Sequence, residues 1–251
     1  MTIHPRLAKP LFTISAIALL AALAFLPAAA QAAEGEIALD VRHDHAIGSC
    51  HGKLILDNEG VRYETDHKKD ARRWAFVDIK QWQVSDGGRI AIFSYEDRSK
   101  WRLGADHTFE FTWSDKNVTP QLIYEFLEAR TNRPIEAQFV PSGDDQPLYE
   151  FAVKHLGTLR GDQGRLIFSQ DRVVYRTPRN DANRTWRYED LESISSGGIY
   201  DLALTTYEQQ RFHYASRHVY NFQLKQALGR ETYDELWRFV NGKKGLLDVL
   251  R

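Results

Sequence analysis

The feature that most constrains the fold of this chain is an internal repeat. A shift of 112 positions aligns residues 43–96 with residues 155–208 without a gap, and 13 of these 54 positions are identical. The identical pairs are His43/His155, Gly52/Gly164, Leu54/Leu166, Ile55/Ile167, Val61/Val173, Tyr63/Tyr175, Thr65/Thr177, Arg72/Arg184, Trp74/Trp186, Asp78/Asp190, Ala91/Ala203, Tyr95/Tyr207 and Glu96/Glu208. A repeat of this length is a duplicated domain rather than a solenoid unit, so the chain contains two copies of one fold.

Each copy has the pattern of several short strands followed by one helix. In the first copy, the runs with strand character are 53–56, 61–65, 74–76, 79–84, 90–94, 101–103 and 109–113. Thr119 and Pro120 then have the character of an N-cap and a first helical residue, and apolar residues follow at helical spacing. The sequence therefore predicts a mainly β protein with C-terminal helices: two tandem seven-stranded small barrels, each capped by an amphipathic helix.

This order of elements resembles the pleckstrin-homology-like superfold, including its GRAM-like relatives. The segments that carry the resemblance are 52–56, 60–63 and 74–79, with their counterparts 164–168, 173–175 and 186–191. The chain also resembles a group of exported proteins of unknown function that is typical of acidobacteria. This resemblance is carried by the patterns His43-Asp-His45, Gly48-Ser-Cys50-His-Gly52 and Tyr95-Glu-Asp97. The resemblance implies two pleckstrin-homology-like domains, a superfold that hosts lipid, peptide and protein binders alike.

One departure from that superfold concerns the first hairpin turn. Members that bind phosphoinositides present Lys and Arg at this turn, whereas here it reads Asp57-Asn-Glu-Gly60, and its counterpart reads Ser169-Gln-Asp-Arg172. Because an acidic turn repels a phosphate headgroup, the resemblance does not imply phosphoinositide binding.

The N-terminus predicts a secretory signal peptide over residues 1–32. Arg6 and Lys9 precede an uncharged run of 16 residues from 11 to 26, and Ala30-Gln-Ala32 is a small-residue cleavage pattern. We expect an exported protein, periplasmic or secreted, with an uncleaved N-terminal membrane anchor as the alternative. The remaining boundaries are a first domain over 34–131, a linker over 132–150, a second domain over 151–243 and a tail over 244–251.

Composition and motifs argue against several functions. Lys and Arg number 33 against 34 Asp and Glu, so no overall positive field attracts nucleic acid. The sequence has no Gly-x-Ser-x-Gly elbow, no phosphate-binding Gly-rich loop before a helix and no His-Glu-x-x-His motif. We therefore predict a protein that is not an enzyme, with no catalytic residues and no cofactor, and with no transmembrane segment after signal cleavage.

The candidate ligand-binding residues lie in a basic stretch after the second run, 61–65. Lys68, Lys69, Arg72 and Arg73 are clustered there, and clustered cations attract an anionic partner or headgroup. The alternative is an ordinary solvated loop, since most surface charge runs have no specific ligand.

Histidines are the candidate metal ligands. His43 and His45 share one face of an extended segment, and Cys50, His51 and His67 are near in sequence. Cys50, however, lies an even number of residues from Leu54 and Leu56, so on a strand it faces the core as they do. The second copy keeps only His43 of these residues, as His155. No metal is expected on this basis, and a site formed by His43, His45 and His51 is the alternative.

These observations predict a non-catalytic binding or scaffolding protein of the bacterial cell envelope, which acts through its duplicated domains. Its partner is expected to be a protein, a peptide or a membrane surface. The alternative is a periplasmic small-ligand or metal-binding protein that uses the region of His43 and His45.

Overall fold

A computed structural model describes residues 35–45, 48–97, 106–143, 146–157, 160–209, 217–242 and 244. The predicted signal peptide, the predicted strand 101–103 and most of the predicted tail lie outside these residues. In the described part of the chain, no helix combines the length and the apolar character needed to cross a membrane.

The first copy folds into strands followed by a helix. Its elements are β1 (Ile37–Asp44), β2 (Ser49–Leu56), β3 (Gly60–Glu64), β4 (Arg72–Ala75), β5 (Ile79–Ser85), β6 (Arg89–Asp97), β7 (Asp106–Trp113) and α1 (Pro120–Glu128). Strand β1 was not among the predicted runs, although its residues alternate strictly between buried and exposed. The predicted helix start is confirmed, because Thr119 accepts a hydrogen bond from the Leu122 amide at 3.2 Å and Pro120 is the first helical residue.

The second copy repeats this order after an additional strand. Its elements are β9 (Tyr149–Leu156), β10 (Gly161–Phe168), β11 (Arg172–Arg176), β12 (Arg184–Arg187), β13 (Leu191–Gly198), β14 (Asp201–Gln209), β15 (Arg217–Leu224) and α2 (Arg230–Gly242). The additional strand, β8 (Ile135–Gln138), lies between the two copies in the sequence, within the stretch 132–150 that was predicted to be a linker.

The prediction of two separate closed pleckstrin-homology-like barrels, each capped by a helix, is wrong. The strands form a single open sheet of 15 strands in the order β13-β14-β15-β9-β10-β11-β12-β8-β5-β6-β7-β1-β2-β3-β4. Both ends of this order are free in the described part of the chain, with β13 at one end and β4 at the other. The fold is thus one continuous sheet with two cores rather than two independent barrels.

Strand β8 is the physical reason for this difference. It pairs in parallel with β5, from Trp82/Ile135 to Ser85/Gln138, and it pairs with β12 at Thr185/Ala137. Its sequence Ile-Glu-Ala-Gln alternates apolar and polar residues, which suits a strand with two different faces. Ile135 and Ala137 belong to the core of the first copy. The hydrogen-bonded ladder therefore continues from one copy into the other.

The two cores share a frame of identical residues. Tyr63 and Tyr175 are both buried, and each ring lies against a glycine of the neighbouring strand. A Cβ atom on Gly52 would lie 2.3 Å from the Glu64 carbonyl oxygen, and one on Gly164 would lie 2.4 Å from the Arg176 carbonyl oxygen. Only glycine fits beneath each tyrosine, which explains why both copies have it there.

Candidate functional site

The predicted basic residues surround β4, the free edge strand of the first copy. Lys68 and Lys69 are exposed in the loop before β4, and no carboxylate of the described residues lies within ion-pair distance of either ammonium group. Arg73 is exposed on β4 itself and is paired with Glu59. These three side chains form a basic margin on the open edge of the sheet.

Arg72 has a different role from these cations. Its guanidinium donates hydrogen bonds to the Lys69 carbonyl at 2.6 Å and to the Ala71 carbonyl at 2.9 Å. It also donates to Glu96 Oε2 at 3.4 Å. Arg72 therefore holds the basic loop against the sheet rather than projecting freely toward a ligand.

A Trp–Glu hydrogen bond is repeated in the two copies. Trp74 Nε1 donates to Glu96 Oε1 at 2.8 Å, and Trp186 Nε1 donates to Glu208 Oε1 at 2.7 Å. The two bonds differ in their surroundings, because the Glu96 side chain is 39% exposed whereas Glu208 is 5% exposed. The Trp–Glu pair is thus partly open to solvent in the first copy and covered in the second.

Strand β8 covers the second of these clusters. Its Glu136 lies 4.0 Å from Arg184 Nε, and both side chains are mostly buried. Tyr220 completes the network, because its hydroxyl donates to Glu208 Oε2 at 2.6 Å and accepts from Arg184 Nε at 3.2 Å. In the first copy, the residue at the position of Tyr220 is Phe109, which has no hydroxyl to offer.

Burial changes the acidity of this covered network. Desolvation, reinforced by the charge of Glu208, raises the pKa of Glu136 to about 7. Desolvation also raises the pKa of Glu208, despite its hydrogen bonds from Tyr220 and Trp186. The side chains of this network are buried or mostly buried by the described residues. We therefore interpret the network as a structural contact and not as a substrate site.

The three histidines considered as metal ligands do not converge on one site, although the rings of His43 and His45 are in edge contact with their centroids 4.7 Å apart. His43 is buried and donates through Nδ1 to the Glu110 carbonyl at 2.8 Å, so it supports the frame of the core. His51 is exposed on the face of β2 opposite the buried Cys50. Of the three, His45, directly after β1, is the one that belongs to a converging group of potential ligands.

His45 lies instead beside two residues of other types. Its Nε2 is 3.1 Å from Cys50 Sγ and 3.8 Å from Asp70 Oδ2, and the donor atoms of the three residues all lie within 4.8 Å of one another. Cys50 is 3% exposed, and the other two are half-buried. Sequence reasoning assigned Cys50 to the core correctly but did not bring Asp70 to it. The sequence contains one signal that groups His45, Cys50 and Asp70: all three are replaced in the second copy, by Gly157, Asp162 and Ala182.

A groove of about 490 Å³ lies where the two copies meet, lined by residues of the segment after α1 together with Val77 and Arg187. Its cations already have partners. Arg187 is paired with Asp190 at 2.8 Å, Arg133 donates to the Val77 carbonyl at 3.2 Å, and Arg130 lies over the Phe126 ring and donates to Asn58. These guanidinium groups are thus held by contacts within the described part of the chain, and Arg187 is the one of the three that is paired with a carboxylate.

Comparison with known proteins gives no family for this chain. No family model matches it, and no curated protein matches it. One similar solved structure is the C-terminal domain of an unknown protein from Leishmania infantum, with 14% identity over 36% of this chain and 80% of that chain and a TM-score of 0.27. Another is the Spt16D Pob3N heterodimer, with 10% identity over 68% of this chain and 82% of that chain and a TM-score of 0.30. The resemblance to pleckstrin-homology-like and GRAM-like proteins stays a prediction.

Proposed function

We propose that the protein is a non-catalytic binding protein of the bacterial cell envelope, which takes up an extended acidic segment of a partner protein along β4. The observation that carries the proposal is the difference between two equivalent strands. Strand β12 accepts β8 at its outer edge, whereas β4, its counterpart at a spacing of 112 residues, ends the sheet. An edge strand with free backbone groups is a template for one more strand.

The pairing of β8 with β12 indicates which kind of segment fits. Strand β8 places a carboxylate, Glu136, beside Arg184, and the counterpart of Arg184 on the open edge is Arg72. Lys68 and Lys69 add two unpaired positive charges next to that edge. Because a basic edge repels a second copy of itself and attracts carboxylates within roughly a Debye length, it favours an acidic strand.

A direct test uses the strand that the fold itself supplies. The probe is a fluorescent peptide with the sequence of residues 134–140, which keeps the Glu136 carboxylate and omits the positive charge of Arg133, and binding to the mature chain is followed by anisotropy in the presence of a metal chelator. We expect the Lys68→Glu/Lys69→Glu variant to bind about fivefold more weakly, which corresponds to roughly 1 kcal/mol for two exposed charges. A Glu136→Lys peptide should bind the natural chain more weakly as well.

The matched control is Lys116→Glu, which reverses an exposed lysine in the turn between β7 and α1, away from β4. This variant should bind the peptide as the natural chain does. An absence of peptide binding at millimolar concentration would overturn the proposal, and so would an equal loss in the Lys116→Glu variant. Binding to anionic vesicles without any binding of the peptide would instead support a membrane surface as the partner and contradict a protein segment.

The location in the envelope rests on the N-terminal sequence. If residues 1–32 are a signal peptide, the protein recovered from the periplasmic fraction of an expressing bacterium should begin at Ala33. N-terminal sequencing or intact mass measures this directly. Recovery of a membrane-bound chain that still contains residues 1–32 would support the anchored alternative.

The other function predicted from the sequence, a periplasmic small-ligand or metal-binding protein, requires a change of ligands. His51 faces away from the buried Cys50, and His43 is not one of the three residues whose donor atoms converge beside His45. That function now depends on Cys50 and Asp70, which lie beside His45.

A further inference from the structure

The end of the first copy formed by the β1–β2 and β3–β4 connections carries an unusual set of side chains. An imidazole, a thiol and a carboxylate converge there from His45, Cys50 and Asp70, which lie on three different segments. The tyrosine hydroxyl of Tyr63 lies 3.1 Å from Cys50 Sγ, on the inner side of the cluster. We propose that His45, Cys50 and Asp70 bind one zinc ion through Nε2, Sγ and a carboxylate oxygen, with the fourth coordination position left open.

The distances between the donor atoms suit a common metal ion. In a tetrahedral zinc site with Zn–N near 2.0 Å and Zn–S near 2.3 Å, neighbouring donor atoms are roughly 3.3–3.6 Å apart. The observed separations from His45 Nε2 are 3.1 Å to Cys50 Sγ and 3.8 Å to Asp70 Oδ2, on either side of that range. Shifts of a few tenths of an ångström would bring His45 Nε2 to the tetrahedral distance from each of the other two donor atoms, which lie within 4.8 Å of one another.

The second copy provides an independent observation that points to a cation. The residue at the position of Cys50 is Asp162, and its carboxylate accepts two hydrogen bonds from Arg179 Nη1, at 2.9 and 3.1 Å. Arg179 also pairs with Asp181 at 2.8 Å. A guanidinium thus supplies positive charge at this end of the second copy.

The first copy has no such guanidinium at the equivalent place. The residue at the position of Arg179 is His67, which is exposed and whose carbonyl accepts the Asp70 amide at 2.8 Å. That bond forms a tight turn, which directs Asp70 back toward His45. Both copies therefore keep this loop. In the second copy, the guanidinium of Arg179 supplies the positive charge, whereas the first copy has a set of potential metal ligands instead.

The local frame is rigid enough to hold the ligands in place. Thr65 Oγ1 donates to the His51 carbonyl at 2.8 Å, and Thr177 Oγ1 donates to the Gln163 carbonyl at 3.1 Å in the second copy. Both bonds fix the loop after β3 or β11 to the neighbouring strand. Cys50 is held in addition by its buried position on β2.

The chemistry of the donor set selects the ion. A soft thiolate combined with an imidazole and one carboxylate suits Zn²⁺ and disfavours Mg²⁺ or Ca²⁺, which prefer oxygen ligands. Binding requires Cys50 to lose its thiol proton to solvent, after which sulfur donates an electron pair to the metal. Three protein ligands and one open position are the composition of zinc sites that bind a further molecule.

The test uses the full mature chain without an affinity tag and measures zinc affinity by competition with a chromophoric chelator. We expect one zinc ion per chain, and Asp70→Asn and Cys50→Ser should each weaken the affinity about tenfold or more. His51→Ala is the matched control, because it removes an adjacent but outward-facing histidine, and it should leave the affinity unchanged. Cobalt substituted for zinc should give a thiolate charge-transfer absorption that Cys50→Ser abolishes.

Several results would overturn the proposal. These are an absence of zinc binding at micromolar concentration, an unchanged affinity in Asp70→Asn, a loss of affinity in His51→Ala that equals the loss in Asp70→Asn, or a cobalt spectrum without the thiolate band. Asp70 lies on a half-exposed loop, so its variant tests the site even if Cys50→Ser fails to fold. The zinc measurement is separate from peptide binding at β4. Lys68→Glu/Lys69→Glu should retain zinc, and Asp70→Asn should retain the peptide.

Discussion

The two copies of the repeat contain the same tryptophan–glutamate hydrogen bond in two different environments. In the second copy, the acceptor Glu208 is buried beneath β8, and Tyr220 shares its carboxylate. In the first copy, the acceptor Glu96 remains partly exposed beside the edge strand β4. One edge has been used to join the copies into a single sheet, and the equivalent edge has been left free.

This difference shows that two copies with the same core residues can have different surfaces. The residues that determine the frame, such as the Gly52/Gly164 and Trp74/Trp186 pairs, are identical because each core requires the same close contacts. The residues that determine the surface are free to change. As a result, β12 is an internal strand, whereas β4 lies at the end of the sheet in the described part of the chain.

The largest expected effect comes from removing the two equivalent carboxylates. Glu208→Ala should lower the free energy of unfolding by about 3 kcal/mol, because it leaves the buried polar hydrogens of Trp186 and Tyr220 without their acceptor and removes a buried negative charge near Arg184. Glu96→Ala should cost no more than about 1 kcal/mol, because the Glu96 side chain is partly exposed and water can take its place as the acceptor. Urea unfolding of both variants measures the difference. Equal losses would contradict the contrast between a covered and an open copy.

The shared glycines should behave alike, which tests the common frame. Gly52→Ala and Gly164→Ala should each destabilise the protein by about 1–3 kcal/mol, because the added Cβ meets a backbone carbonyl and a tyrosine ring. Thermal and urea unfolding report both losses. Gly143→Ala is a suitable control, since a Cβ there meets nothing within 4 Å. A large loss in only one of the two copies would show that their frames are not equivalent.

Acidity provides a third contrast, because the covered network contains an additional buried acid, Glu136, near Glu208. The pKa of Glu136 is raised from 4.5 to about 7, so folding takes up a proton between these pH values. Its contribution is therefore most favourable below about pH 4.5 and is lost as the pH rises through about 7. Glu136→Gln should stabilise the protein by about 1–2 kcal/mol at pH 8 and have little effect at pH 4. Parallel stability curves for variant and natural chain from pH 4 to 8 would refute this assignment.

The sequence predicted local structure better than global structure. Period-two alternation located most strands, and the Thr119-Pro120 pair located the start of α1, because both signals arise from local backbone chemistry. The failure concerned Ile135–Gln138, which lies in a stretch bounded by prolines and is only four residues long. Its alternation is too short to be distinguished from an extended linker, and its pairing with β5 and β12 depends on contacts distant in the sequence. Closed barrels were therefore inferred where the sheet is continuous.

The same reasoning explains what was missed at the candidate sites. The basic residues form a recognisable charge cluster in the sequence. The sequence cannot tell, however, that Arg72 is hydrogen-bonded to carbonyls and Glu96, whereas neither Lys68 nor Lys69 has an ion-pair partner among the described residues. The histidines were considered together because they are close in sequence. Asp70 was overlooked because it reaches His45 only through the turn made by the β3–β4 loop.

The smallest expected effect concerns a loop anchor that both copies retain. Thr65→Val and Thr177→Val each remove one hydroxyl hydrogen bond to a backbone carbonyl, and we expect losses of about 0.5–1.5 kcal/mol. The two variants should differ in their effect on zinc binding, because Thr65 anchors the loop that carries Asp70 whereas Thr177 anchors the equivalent loop of the second copy. Thr65→Val should weaken zinc binding while Thr177→Val leaves it unchanged, as chelator competition would measure. An equal effect of both variants on zinc affinity would mean that the ion binds outside the first copy, and the contrast between the two loops would then carry no functional meaning.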